Sequence, residues 1–148
     1  MTTPSELHDV HVPTRYKLAA LWASVMSCFI YADYFELYVP GKLNSMLAGR
    51  MEPLGLVTQG VLACTSILLA IPSLMIALSV LLRARACRWL NLVVAIAYAA
   101  VEFVVVSGSG WVFYVGFGLL EAGLLLFVAW TAWRWPKEGE SSRVGESA

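Results

Sequence analysis

Four long apolar runs separated by short polar punctuation organise the chain, at about 18–38, 54–82, 89–106 and 111–133. At ~1.5 Å of rise per helical residue, each is long enough to cross a hydrocarbon core of ~30 Å when tilted to fit. A backbone in lipid must satisfy its own hydrogen bonds, so each run is predicted to be a transmembrane helix. The fold class expected is all-α: a polytopic membrane protein whose spans form an antiparallel four-helix transmembrane bundle. Ser107-Gly108-Ser109-Gly110 leaves room only for a tight turn, which makes spans three and four direct neighbours.

The punctuation sets the ends. Residues 1–14 have neither a basic leader nor a short apolar core and read as a mobile tail, while 137–148 read as a polar one. Between them lies the four-span domain, 15–136. Thr14 is placed to cap the first helix, with Arg15, Tyr16 and Lys17 at the water interface. Pro40-Gly41 ends that helix, and Lys42 to Pro53 reads as a plain loop in which Leu43, Met46 and Leu47 make at most one interfacial turn. Pro72 lies inside span two, where it frees the carbonyl of Leu68 and is expected to kink the helix. Trp130, Trp133, Arg134 and Trp135 anchor the exit of span four.

Within the spans, polar and small residues recur at helical spacing. Gln59, Ala63, Ser66, Ala70, Ser73 and Ala77 form a stripe on span two suited to close helix packing. Asn91, Ala95, Tyr98 and Glu102 share a face of span three, as do Tyr114, Gly118, Glu121 and Leu125 on span four. Span one has two polar faces: Asp33 and Glu36 on one, and Ala20, Ser24, Ser27, Tyr31, Tyr34 and Tyr38 roughly opposite. Ser and Tyr tolerate a packing or headgroup border better than acids, so the acids are placed inward.

Composition agrees with the pattern: 59% of residues are hydrophobic and 14% charged, with a mean hydropathy of +0.73, so the lipid bilayer is the natural solvent. The formal net charge is zero, which argues against nucleic acid as a partner. Arg15, Lys17, Arg83, Arg85, Arg88, Arg134, Lys137 and Arg143 fall on one side of four crossings, with Lys42 and Arg50 opposite. By the positive-inside rule both termini are cytoplasmic, in the cell's inner membrane. Cys28, Cys64 and Cys87 are too far apart for a dithiol or thiolate metal site, and both histidines, His8 and His11, precede the first span. No metal, cofactor or enzyme activity is expected, because no nucleophile–base pair appears.

The chemistry lies in the acids. Asp33 sits ~22 Å and Glu36 ~27 Å beyond Leu18, so with Gln59 and Glu102 they share the outer half of the membrane. Glu121, ~15 Å inside Trp111, is near the midplane. No Lys, Arg or His shares their depth, which leaves an ion, a proton or a charged ligand to satisfy them. Asp33, Glu36, Gln59, Tyr98, Glu102 and Glu121 are accordingly the candidate site, an outward-facing cavity for a cation or small cationic solute. Asp33 and Glu36 would receive the cation, Gln59 and Tyr98 orient it, and Glu102 and Glu121 exchange protons. The alternatives are that the span-one acids only wet the interface while Glu102 and Glu121 are protonated and hydrogen-bonded to neighbouring helices, and that the protein is a non-catalytic membrane subunit joining a partner or a second copy. Four short helices enclose little volume, so a carrier of this size is expected to dimerise.

Tyr31-Ala32-Asp33, Tyr38-Val39-Pro40-Gly41, Ile71-Pro72, Arg88-Trp89-x-Asn91, Glu121 and Trp130-Thr131-Ala132-Trp133-x-Trp135-Pro136 together resemble a family of small bacterial four-helix integral membrane proteins, a domain of unknown function. The resemblance runs from about Lys17 to Pro136 and implies the fold, but no activity. That family often carries an acid before the Ile-Pro of span two, where Ala70 stands here.

Overall fold

A computed structural model describes residues 11–51, 54–108 and 110–136. Its main helices are α1 (Thr14–Glu36), α3 (Gln59–Leu81), α4 (Ala84–Ser107) and α5 (Val112–Trp133), all long and apolar enough to cross a membrane. The short helix α2 (Lys42–Leu47) and a small antiparallel hairpin, β1 (Arg50–Met51) with β2 (Gly55–Leu56), fill the first connector. The tail segments 1–10 and 137–148, with Lys137 and Arg143, and Ser109 of the tight turn lie outside the described residues.

Several boundaries differ from the sequence pattern. The connector is not a plain loop: Gly41, at φ +87°, turns the chain left-handed and opens α2. The hairpin delays α3 to Gln59, where the Thr58 hydroxyl accepts a hydrogen bond from the Val61 amide at 3.2 Å. Thr14 is the first helical residue and does not cap α1; Pro13 holds that position, its fixed φ suiting a helix entry. α4 begins five residues earlier than the apolar run, so Arg85 and Arg88 belong to its first turns. The Arg88 guanidinium donates to the Trp133 carbonyl at 3.3 Å, which lets a charged first turn seat itself against the aromatic end of α5.

α1 packs against α3 and α5, α4 packs against α5, and α3 touches α4. The buried positions repeat at three and four: Leu18, Trp22, Val25, Phe29 and Ala32 on α1, and Cys87, Asn91, Ala95 and Tyr98 on α4. Gly118, Glu121, Leu125, Val128 and Ala132 complete the seam from α5. Such spacing gives each helix one inward stripe, while its remaining apolar side chains face outward. At Gly118 the Val106 side chain of α4 comes so close to the α5 backbone that a Cβ would overlap Val106 Cγ2, so a larger residue there would force the contact to shift.

Asn91 ties one end of the bundle together. Its Oδ1 accepts from Trp22 Nε1 at 2.7 Å and from Ser79 Oγ at 3.1 Å, and its Nδ2 donates to the Cys87 carbonyl at 2.8 Å. One side chain thereby joins α1, α3 and α4. α3 runs unbroken through Pro72, and the Leu68 carbonyl that the proline leaves without an amide accepts the Tyr98 hydroxyl at 2.5 Å.

The small-residue stripe of α3 does not pack within the bundle. Pro72, Met75 and Ser79 face the core, whereas Gln59, Ala63, Ser66, Ala70, Ser73 and Ala77 are all exposed on the outside of the bundle. The second polar face of α1, Ala20 to Tyr38, also points outward, with Ser24 and Ser27 hydrogen-bonded to their own helix.

Candidate functional site

α1, α4 and α5 bring their acids to the end of the bundle opposite the Asn91 cluster, around two adjoining cavities. The inner one, about 130 Å³, is lined by Asp33 from α1, Tyr98 and Glu102 from α4, and Tyr114 and Glu121 from α5. The outer one, about 560 Å³, is lined by Glu36, Lys42, Trp111, Phe113 and Tyr114. Tyr114 and Val105 line both and form the wall between them.

Helical register explains the convergence. Tyr98 and Glu102 lie seven and eleven residues beyond Asn91, so the buried asparagine fixes the rotation that turns Glu102 inward. Tyr114 stands seven residues, two turns, before Glu121 on the same face of α5. Gly118 lies between them; its missing side chain leaves room for the Glu102 carboxyl, 3.8 Å from where a Cβ would be. Glu102 is thereby within hydrogen-bonding reach of the Glu121 carboxyl.

Glu121 is 3% exposed, and its Oε1 has no hydrogen-bond partner among the described residues. No basic side chain lines the inner cavity. A buried acceptor oxygen beside two further carboxyls is costly unless something positive or a proton sits against it. Among the described residues no three His, Cys, Asp or Glu side chains cluster tightly enough to hold a metal ion.

Four of the six candidate residues, Asp33, Tyr98, Glu102 and Glu121, thus meet at the inner cavity. Tyr98 does not offer a free hydroxyl, since its proton is committed to Leu68. Glu36 belongs to the outer cavity, where its Oε1 is 2.6 Å from Lys42 Nζ. That ion pair corrects the expectation of an acid without a basic partner: the turn at Gly41 folds α2 back so that its first residue reaches the end of α1. Gln59 stands apart, exposed at the start of α3, and lines neither cavity. The pattern of the chain did not single out Lys42 or Tyr114 as site residues; Tyr114 was discoverable from its two-turn spacing to Glu121, whereas Lys42 carries no such signal.

No curated protein and no solved structure matches the chain. The model of DUF6326, a family of unknown function, matches residues 6–142, from the entry of α1 past the exit of α5. The match takes in every element that builds the two cavities, and the chain belongs to that family.

Proposed function

We propose that this multi-pass membrane protein binds a small cation in the inner cavity and exchanges it with a proton. The observation that supports this reading is the Glu121 carboxyl, almost wholly buried and with one oxygen unpartnered, in the wall of a cavity it shares with Asp33 and Glu102. Carboxylates at such short range repel strongly in a medium of low dielectric, and a proton or a bound cation relieves the repulsion equally well. Cation and proton therefore compete for one place. At ~30 Å³ per water, 130 Å³ holds about four waters, which suits a small cation stripped of much of its hydration and excludes a drug-sized one. The protein acts as a binding or transport protein and not as an enzyme.

A thermal-shift series on the purified full chain in nanodiscs tests this, with Na⁺, K⁺, ammonium and methylammonium compared at constant ionic strength. At least one of them is expected to raise Tm saturably, more at pH 8 than at pH 5.5, because the cation replaces a proton. A flat response to all four at both pH values would remove the reading.

The positive-inside rule supports cytoplasmic termini, with both cavities opening to the outer face of the cell membrane. Of the described basic residues, Arg15, Lys17, Arg83, Arg85, Arg88 and Arg134 gather at the Asn91 end, and Lys42 and Arg50 at the cavity end. A periplasmic reporter fused after Ala148 should be silent and one inserted at Asn44 active; the reverse result would invert the cavities.

One observation favours a second reading. The exposed stripe Gln59 to Ala77 on α3 offers a surface of small residues to another membrane helix, as expected of a subunit that joins a partner or a second copy. Such a role predicts a defined oligomer by light scattering and no response to cations.

A further inference from the structure

We infer that the two cavities form a single site for a primary organic ammonium ion, with its –NH₃⁺ head in the inner cavity and its apolar body in the outer one. This rests on the cation reading above and names the class of ligand. The inner cavity is lined by carboxyls from three helices, Asp33, Glu102 and Glu121, and the unpartnered Glu121 Oε1 is the acceptor that one N–H of a primary ammonium would meet, the other acids adding negative charge around it. An inorganic ion has no use for what lies outside. The outer cavity, about 560 Å³, falls within the range of organic-ligand pockets, and Trp111, Phe113, Tyr114, Val39, Val104 and Val105 make most of its wall. Aromatic faces at the mouth favour a passing cation and then an apolar chain. Tyr114 and Val105 border both cavities, so a ligand with its head among the acids and its tail in the outer cavity would pass between these two side chains.

The protein already holds a group of this chemistry in the outer cavity. Lys42 Nζ, a primary ammonium on an alkyl stem, sits 2.6 Å from Glu36 Oε1. It shows that a carboxylate here accepts an alkylammonium at contact distance, and it leaves the inner acids to a ligand from outside.

Isothermal titration of the full chain in nanodiscs with a matched series tests the inference: methylammonium, n-butylammonium and n-butyltrimethylammonium. Three added methylenes buried against the outer wall should make n-butylammonium bind at least about tenfold tighter than methylammonium, at ~0.8 kcal/mol for each. The trimethyl analogue, which has no N–H to donate, should bind at least about tenfold more weakly than n-butylammonium. In Trp111→Ala, which removes a half-exposed aromatic from the outer wall, the ratio of butyl to methyl affinity should fall toward one. Equal affinities for the butyl and methyl ions in the wild type would overturn the two-cavity site while leaving the small-cation reading standing. A trimethyl analogue as tight as the primary amine would overturn the primary-ammonium head. Binding of none of the three, together with no thermal response to inorganic ions, would end both readings.

Discussion

Glu121→Gln should fold like the wild type and lose its response to cations. Glutamine reproduces the size and shape of the glutamate, including the approach to Glu102 across Gly118, and adds no charge to a side chain that is 3% exposed. What it removes is the negative charge available to a bound cation. At close range and an effective dielectric near 20 one such charge is worth up to about 4 kcal/mol, so a loss of cation affinity of at least about tenfold is a conservative expectation. The variant should also lose the pH dependence of the cation response, since one member of the proton-sharing pair is gone. Infrared difference spectra across a pH titration would show a carboxyl band in the wild type that is missing from the variant. Glu121→Leu differs in kind: it leaves Glu102 without its hydrogen-bonding neighbour and should cost about 1 kcal/mol. If Glu121→Gln binds cations as the wild type does, the inner cavity is not the site.

Asn91→Leu should be the most destabilising single change at the other end of the bundle. Leucine keeps the branching of asparagine but is larger and accepts no hydrogen bond, so the Trp22 indole N–H and the Ser79 hydroxyl, both on fully buried residues, lose their shared acceptor. Interhelical hydrogen bonds in membranes are worth roughly 0.6–2 kcal/mol each, and a loss of about 2 kcal/mol in total follows. Unfolding in rising dodecyl sulfate measures it. Trp22→Phe should cost about half as much, and the double variant less than the sum, because both act on one bond. An unchanged unfolding midpoint for Asn91→Leu would show that these bonds orient the helices without stabilising them.

The two ends are coupled by α4. Asn91, Ala95, Tyr98 and Glu102 lie along a single stripe, so the hydrogen bonds that fix Asn91 against α1 and α3 also fix where Glu102 points. Asn91→Leu is thus expected to loosen cation binding as well as the fold, although it lies outside both cavities.

The spans were legible in the chain because insertion into lipid is a local decision. Some twenty apolar residues must close their own backbone hydrogen bonds whatever their neighbours do, so the four helices, the tight turn between α4 and α5 and the single stripe of Asn91 to Glu102 follow from order and spacing alone. The contact at Gly118 and the freed carbonyl of Leu68 were equally predictable from the missing Cβ and the missing amide. Which face of a span meets a neighbour was not always legible, because in lipid the outside of a bundle is as apolar as its inside. The stripe on α3 has the spacing of a packing surface and still lies outside, since α3 instead buries Pro72, Met75 and Ser79. The Glu36–Lys42 pair depends on a left-handed turn at Gly41 that brings two helix ends together, and Gln59 falls away from the acids because a hairpin sets where α3 begins. Periodicity thus determined which residues share a face; only the packing of the helices decided which faces meet, because that choice rests on shape fit between side chains distant in sequence.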